Sequence, residues 1–146
     1  MRWVTRHEPH VDRCASIWLI KTVIDPDAVF DFISRDSAIP EGSIAFTLPG
    51  ADLQPTATAT TFDALVTRYR VQDATVARIA DILRDFEIQA HERLDRLTMS
   101  ESAGVYFILR GLARTSSTDA EIVTKAMVVM DALYAELKAR AEGSVT

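Results

Sequence analysis

Between Thr118 and Ala139, Ile122, Ala126, Val129, Met130, Leu133 and Leu137 recur at helical spacing. Residues so spaced share one face of a helix, and that face needs other apolar elements to cover it. This is the longest amphipathic stripe in the chain. Three shorter ones precede it. Thr61 stands before FDALVTRY, which turns Phe62, Leu65, Val66 and Tyr69 inward. A helix from near Asp73 or Thr75 buries Val76, Ile79, Ala80, Leu83 and Phe86. Ser100 is placed to cap a third, with Val105, Ile108, Leu109 and Leu112 buried.

The first third has a different pattern. Residues 2–5, 28–33 (AVFDFI) and 43–48 (SIAFTL) read as short strands, and Pro49-Gly50 ends the last. Between the first two, Ile17, Trp18, Ile20 and Ile24 predict a helix, with Asp12 as its cap and the DPD at 25–27 as its stop. The expected fold is α+β: a small sheet in the N-terminal third, covered on one side and packed by a helix-rich C-terminal region. At 146 residues, one domain over 1–140 is expected, with 141–146 a frayed tail.

Twenty-one acidic against sixteen basic side chains give a formal charge of -5, which disfavours a broad nucleic-acid surface. Cys14 is the only cysteine, so neither an internal disulfide nor a thiolate metal cage can form within the chain. The polar start MRWVTRHEPHVDR does not read as a secretory signal, and no apolar run approaches the ~20 residues of a membrane helix. A reduced, cytoplasmic protein without membrane partners is the expectation. Glycine-rich phosphate loops, dinucleotide fingerprints, HExxH and nucleophile elbows are missing, so no motif indicates a cofactor or assigns a catalytic residue.

The chemistry must therefore come from scattered groups. His7 and His10 flank Pro9, and Glu87 and His91 are i and i+4 on a predicted helix. Imidazoles and carboxylates suit metals, yet loop, capping and surface ion-pair roles suit the same residues better. Cys14 follows a helix start beside Arg13, a position that lowers a thiol pKa, but no oriented base accompanies it. Core packing is the plainer role, and redox chemistry the alternative. Arginine's planar donor fork suits a small oxyanion. Arg13, at a helix N-terminus that also favours anions, is the leading candidate, with Lys21 and Arg110 as further charges and Asp12 orienting Arg13.

The blocks WVTR (3–6), DRCASIWLIK (12–21), IDPDAVFDFI (24–33), LPG (48–50), TFDAL (61–65), SAGVYFILRGLA (102–113) and MDALYAEL (130–137) occur in order. Together they resemble the chromate-resistance protein family, which includes the C-terminal domain of the chromate-responsive regulator ChrB. The resemblance spans Arg2 to about Lys138. It implies a role linked to chromate resistance, in some members through sensing and transcriptional control. Export is also ascribed to the family, but the N-terminus lacks a recognisable signal. The resemblance further implies a His-Gly and a Cys after the Pro-Gly turn. Pro55, Thr56 and Ala57 fill the first region here, and Thr60 the second. Arg84 stands where a histidine is typical and Ser16 where a cysteine is, with Cys14 displaced by two. Any metal or redox capacity those groups give relatives is expected to be lost.

Three functions follow. The first is a chromate-resistance-associated domain that binds or senses chromate or another small oxyanion, with a regulatory role. The second is a redox or metal-dependent enzyme of chromate detoxification, for which Cys14, a metal or a flavin must supply electrons. The third is a diverged protein-interaction domain, with the 118–139 stripe offered to a homodimer.

Overall fold

A computed structural model describes residues 1–143. Of the tail expected over 141–146, residues 144–146 lie outside them; within them, Ala141 closes the last helix and Glu142 and Gly143 form a turn. Strand β1 (Arg2–Arg6) leads through a tight loop into helix α1 (Val11–Leu19), which continues as a π-helical turn over Ile20–Ile24. Strand β2 (Val29–Ile33) then pairs with β1 in parallel, Trp3 opposite Phe30 and Thr5 opposite Phe32. The short β3 (Ile44–Ala45) pairs in parallel on the other side, giving the order β2-β1-β3. The expected α+β architecture is present, and β1-α1-β2 forms a crossover unit.

Beyond β3, Phe46 donates its N–H to the Val4 carbonyl at 3.0 Å, while its own carbonyl accepts from Thr5 Oγ1 at 2.8 Å. Trp3, Val4 and Thr5 are all buried in succession. Adjacent strand residues point to opposite faces, so β1 is covered on both, where cover on one side was expected. A parallel central strand has little contact with water, and its apolar run follows.

Helices α2 (Thr61–Arg68), α3 (Ala74–Arg84), α4 (Ser102–Thr115) and α5 (Asp119–Ala141) build the second half. Thr60 caps α2 through a capping box, its hydroxyl accepting from Asp63 N–H at 3.1 Å and Asp63 accepting from Thr60 N–H at 3.0 Å. Asp73 caps α3 by accepting from the Thr75 and Val76 amides, and Thr118 caps α5. Across helices, Trp18 Nε1 donates to Asp131 at 2.8 Å and the Tyr134 hydroxyl to Asp73 at 2.7 Å. Trp3, Trp18, Phe46, Phe62, Ile79 and Leu65 are among the largest fully buried side chains. Full burial of a large apolar side chain contributes ~1.5–3 kcal/mol relative to exposure, so this cluster anchors the fold.

Several expected positions shift. His10, not Asp12, occupies the N-cap of α1. Glu101, not Ser100, precedes α4. Tyr69 is exposed where α2 ends, and Ile108 is 54% exposed because Leu109 points into the core and the next residue lies about a quarter-turn away.

After α3 the chain makes a second π-helical turn, Asp85–Gln89. Asp85 is buried there and accepts from four donors: Thr98 N–H and Oγ1, Met99 N–H, and Ser102 Oγ at 2.6 Å. Burial raises its pKa, but the hydrogen bonds from Ser102, Thr98 and Met99 outweigh it and hold the carboxyl below the ordinary range. This one side chain fixes the start of α4 to the end of α3.

Candidate functional site

Where β1 ends and α1 begins, the chain turns over a cleft of about 310 Å³. Arg6 from the strand end and His10, Val11, Asp12 and Arg13 from the start of α1 form one wall. Thr47, Pro55 and Thr60 supply a second, and Glu87, Ile88, Glu92 and Arg110 close the third. The cleft thus lies at the carboxyl end of the central parallel strand, the position at which open parallel sheets commonly receive ligands.

Local conformation there is unusual. Thr47 and Glu92 line the cleft with positive φ (53° and 61°), and Glu8, in the adjoining loop, has φ 52°. Positive φ is costly for a β-branched residue such as Thr47, and residues held so concentrate at functional sites. Glu87 reaches the cleft from the π-helical turn, another feature frequent at such sites. No side chain caps the N-terminus of α1, which leaves its first-turn amides without a side-chain acceptor.

The charges divide into engaged and free. Arg13 is buried, its guanidinium donating to the carbonyls of Arg6 (2.6 Å), His7 (3.2 Å) and Glu8 (2.7 Å). Burial, then the nearby Arg6 charge, lowers its pKa to about 10, so it stays protonated at neutral pH. Arg13 lines the cleft together with Arg110, and the three bonds tie its guanidinium to the β1–α1 loop. Asp12 does not orient Arg13. Its carboxylate accepts from the Thr61 and Phe62 amides at 2.8 and 3.0 Å, capping α2 from across the fold. Burial raises the Asp12 pKa against the pull of those two amides.

Among the described residues, the Arg6 and Arg110 guanidiniums have neither a hydrogen-bond acceptor nor an ion-pair partner, although Arg110 lies 5.6 Å from the centre of the Tyr106 ring. His10 between them has its pKa lowered by burial, then by Arg110 and Arg13. Glu87 has its pKa pushed up to about 7 by burial, then by Asp12 and Glu92, with Arg110 opposing.

The other anticipated groups lie elsewhere. Lys21 is in the π-helical turn that ends α1, outside the cleft lining. Cys14 is buried with its thiol donating to the Pro9 carbonyl at 3.3 Å, and burial raises its pKa to about 12. His7 shares Asp119 with the Glu8 amide, at 2.7 and 2.8 Å. His91 is exposed at φ 48°, past the end of the helical segment, so Glu87 and His91 do not share a helix face. Among the described residues no group of three or more His, Cys, Asp or Glu side chains is placed to hold a metal ion.

The substituted positions do converge. Ser16 Oγ donates to Asp12 at 3.4 Å, while Thr60 Oγ1 and Arg84 Nε donate to Asp63 at 3.2 and 3.0 Å. Hydroxyls and an ion pair therefore occupy this region beside the cleft. Sequence reasoning missed Arg6, Thr47, Thr60 and Glu92 as cleft residues. Arg6 carried a signal as a cation where a strand gives way to a helix, and Thr60 as the residue standing where the resemblance implies a cysteine.

The model of the family described as "ChrB, C-terminal domain" matches residues 3–137. Protein ChrB of Cupriavidus metallidurans is 25% identical over 134 residues, covering 91% of this chain and 40% of that protein. The chain thus spans well under half the length of the curated relative it matches. No solved structure matches it. Among the described residues no helix is long and apolar enough to cross a membrane.

Proposed function

The chain belongs to the family of the ChrB C-terminal domain, and from that premise we propose that it binds a small oxyanion, chromate included, as the recognition step of a regulatory response. One observation carries the reading: two arginines with no hydrogen-bond acceptor or ion-pair partner among the described residues, Arg6 and Arg110, face the same cleft. Both are half-buried, and an anion with several oxygens can serve two forks at once. The uncapped N-terminus of α1 favours negative charge at the same place. The cleft has room for a tetrahedral oxyanion and its first waters. Neutral His10 supplies one further donor without adding charge. Arg13 contributes by shaping the loop.

Calorimetric titration with chromate, sulfate and phosphate tests this reading. Saturable binding is expected, weakened at least tenfold in Arg6→Ala and in Arg110→Ala. Cys14→Ser and Lys21→Ala should bind as the unaltered chain does. Absence of binding to all three anions, or full binding by the Arg6→Ala/Arg110→Ala double variant, would refute it.

A second reading, as an interaction domain, is favoured by the exposed Phe107 and Ile108 on α4 and Val128 on α5. It requires a defined oligomer in solution that Phe107→Ser disperses.

A further inference from the structure

We propose that the cleft takes up its oxyanion together with one proton, held between the Glu87 carboxyl and an oxygen of the anion, while Arg6 and Arg110 hold the remaining oxygens. This rests on the oxyanion reading and specifies how such an anion is accepted. The cleft that offers two free guanidiniums also presents Glu87, Asp12 and Glu92. An anion entering between them meets carboxylates as well as arginines, and like charges at short range repel.

The two neighbouring carboxylates differ from Glu87 in what they can do. Asp12 has both oxygens committed to the Thr61 and Phe62 amides. Glu92 is exposed at the rim, where water screens it. Glu87 is half-buried, projects from the π-helical turn, and has no hydrogen-bond partner among the described residues. Facing it are Asp12 from α1, Glu92 from the following turn and Arg110 from α4, with His10, Arg6 and Arg13 across the cleft. Only a proton between Glu87 and the ligand turns that contact from repulsion into a hydrogen bond. Glu87 titrates near neutrality, so little free energy is needed to place one there.

The source of the proton separates classes of anion. Hydrogenphosphate carries its own proton and can donate it to ionised Glu87. Sulfate carries none, so Glu87 must take one from solvent. Below neutrality both anions find a proton; above it, only phosphate still brings one.

Calorimetry with inorganic phosphate and sulfate at pH 6 and pH 8.5, in buffers of different ionisation enthalpy, tests the proposal. Sulfate binding should take up close to one proton at pH 8.5 and weaken about tenfold for each pH unit above neutrality. Phosphate should lose much less affinity. Glu87→Gln, which donates an N–H at any pH, should bind both anions and flatten the pH slope for sulfate. His10→Gln should leave the difference in place, separating Glu87 from the imidazole. Equal pH slopes for the two anions, or a sulfate slope that persists in Glu87→Gln, would overturn the proposal while leaving oxyanion binding intact. Failure of both anions to bind at either pH would overturn the oxyanion reading itself.

Discussion

Replacing Asp85 by Asn should destabilise the fold by about 2–4 kcal/mol. The carboxylate accepts from Thr98 N–H, Thr98 Oγ1, Met99 N–H and Ser102 Oγ within a buried site. Asparagine keeps one acceptor oxygen and turns an amide N–H₂ toward backbone N–H groups that cannot accept from it. Hydrogen bonds to charged groups contribute ~1.5–3 kcal/mol each, and a buried donor left unpaired costs about 1–3 kcal/mol. Loss of one or two net bonds gives the stated figure, a large share of the ~5–15 kcal/mol that holds a domain together. The melting temperature should fall by about 5–15 °C, taking ~2–4 °C per kcal/mol at this size. Urea unfolding followed by circular dichroism would report a lower midpoint with unchanged slope. The pH dependence is the sharper check. The folded-state pKa of Asp85 is depressed, so its contribution is complete above the unfolded value of ~3.9 and is lost as pH falls through the folded value. The gap between Asp85→Asn and the unaltered chain should therefore be full at pH 7 and shrink below about pH 4. A difference under about 0.5 kcal/mol at pH 7, or one that grows on acidification, would refute the reasoning.

Arg13→Lys should destabilise by about 2 kcal/mol despite keeping the charge, because an ammonium cannot serve three carbonyls spread over the loop as a planar fork does; the urea midpoint reports it. Cys14 should react with a thiol reagent only at the rate of unfolding, since its thiol is buried and its pKa lies near 12; labelling that tracks solution pH under native conditions would show an accessible thiolate.

Much of the fold was legible because its signals are local. The Val76–Leu83 stripe and the helix starts near Asp73 and Thr118 each depend on neighbours a few residues away. The departures come from partners far along the chain. Asp12 looks like a cap for the helix it opens, yet its carboxylate is drawn to the N-terminus of α2, 49 positions on. Ser100 looks like the cap of α4, but Asp85 organises that end through Ser102 and leaves Glu101 at the boundary. The arginines were legible as a residue type suited to anions and illegible as a division of labour. Nothing in the spacing of Arg6, Arg13 and Arg110 says that the middle one turns inward to satisfy carbonyls while the outer two stay free. That follows from a loop conformation that exists only once β1 and α1 are packed.

The cleft draws its walls from the first dozen residues, from the stretch around Thr47 to Thr60, and from α4 more than a hundred positions after Arg6. No fragment of the chain carries it, and a partly folded chain has no site to offer. An anion bound there as proposed would act as a clasp across the whole tertiary structure. Ligand at a hundred times its dissociation constant would add ~2.7 kcal/mol to the stability of the folded state. In a cell, such a domain would accumulate when its ligand is abundant and be degraded sooner when it is scarce, so its own lifetime would register the anion's concentration.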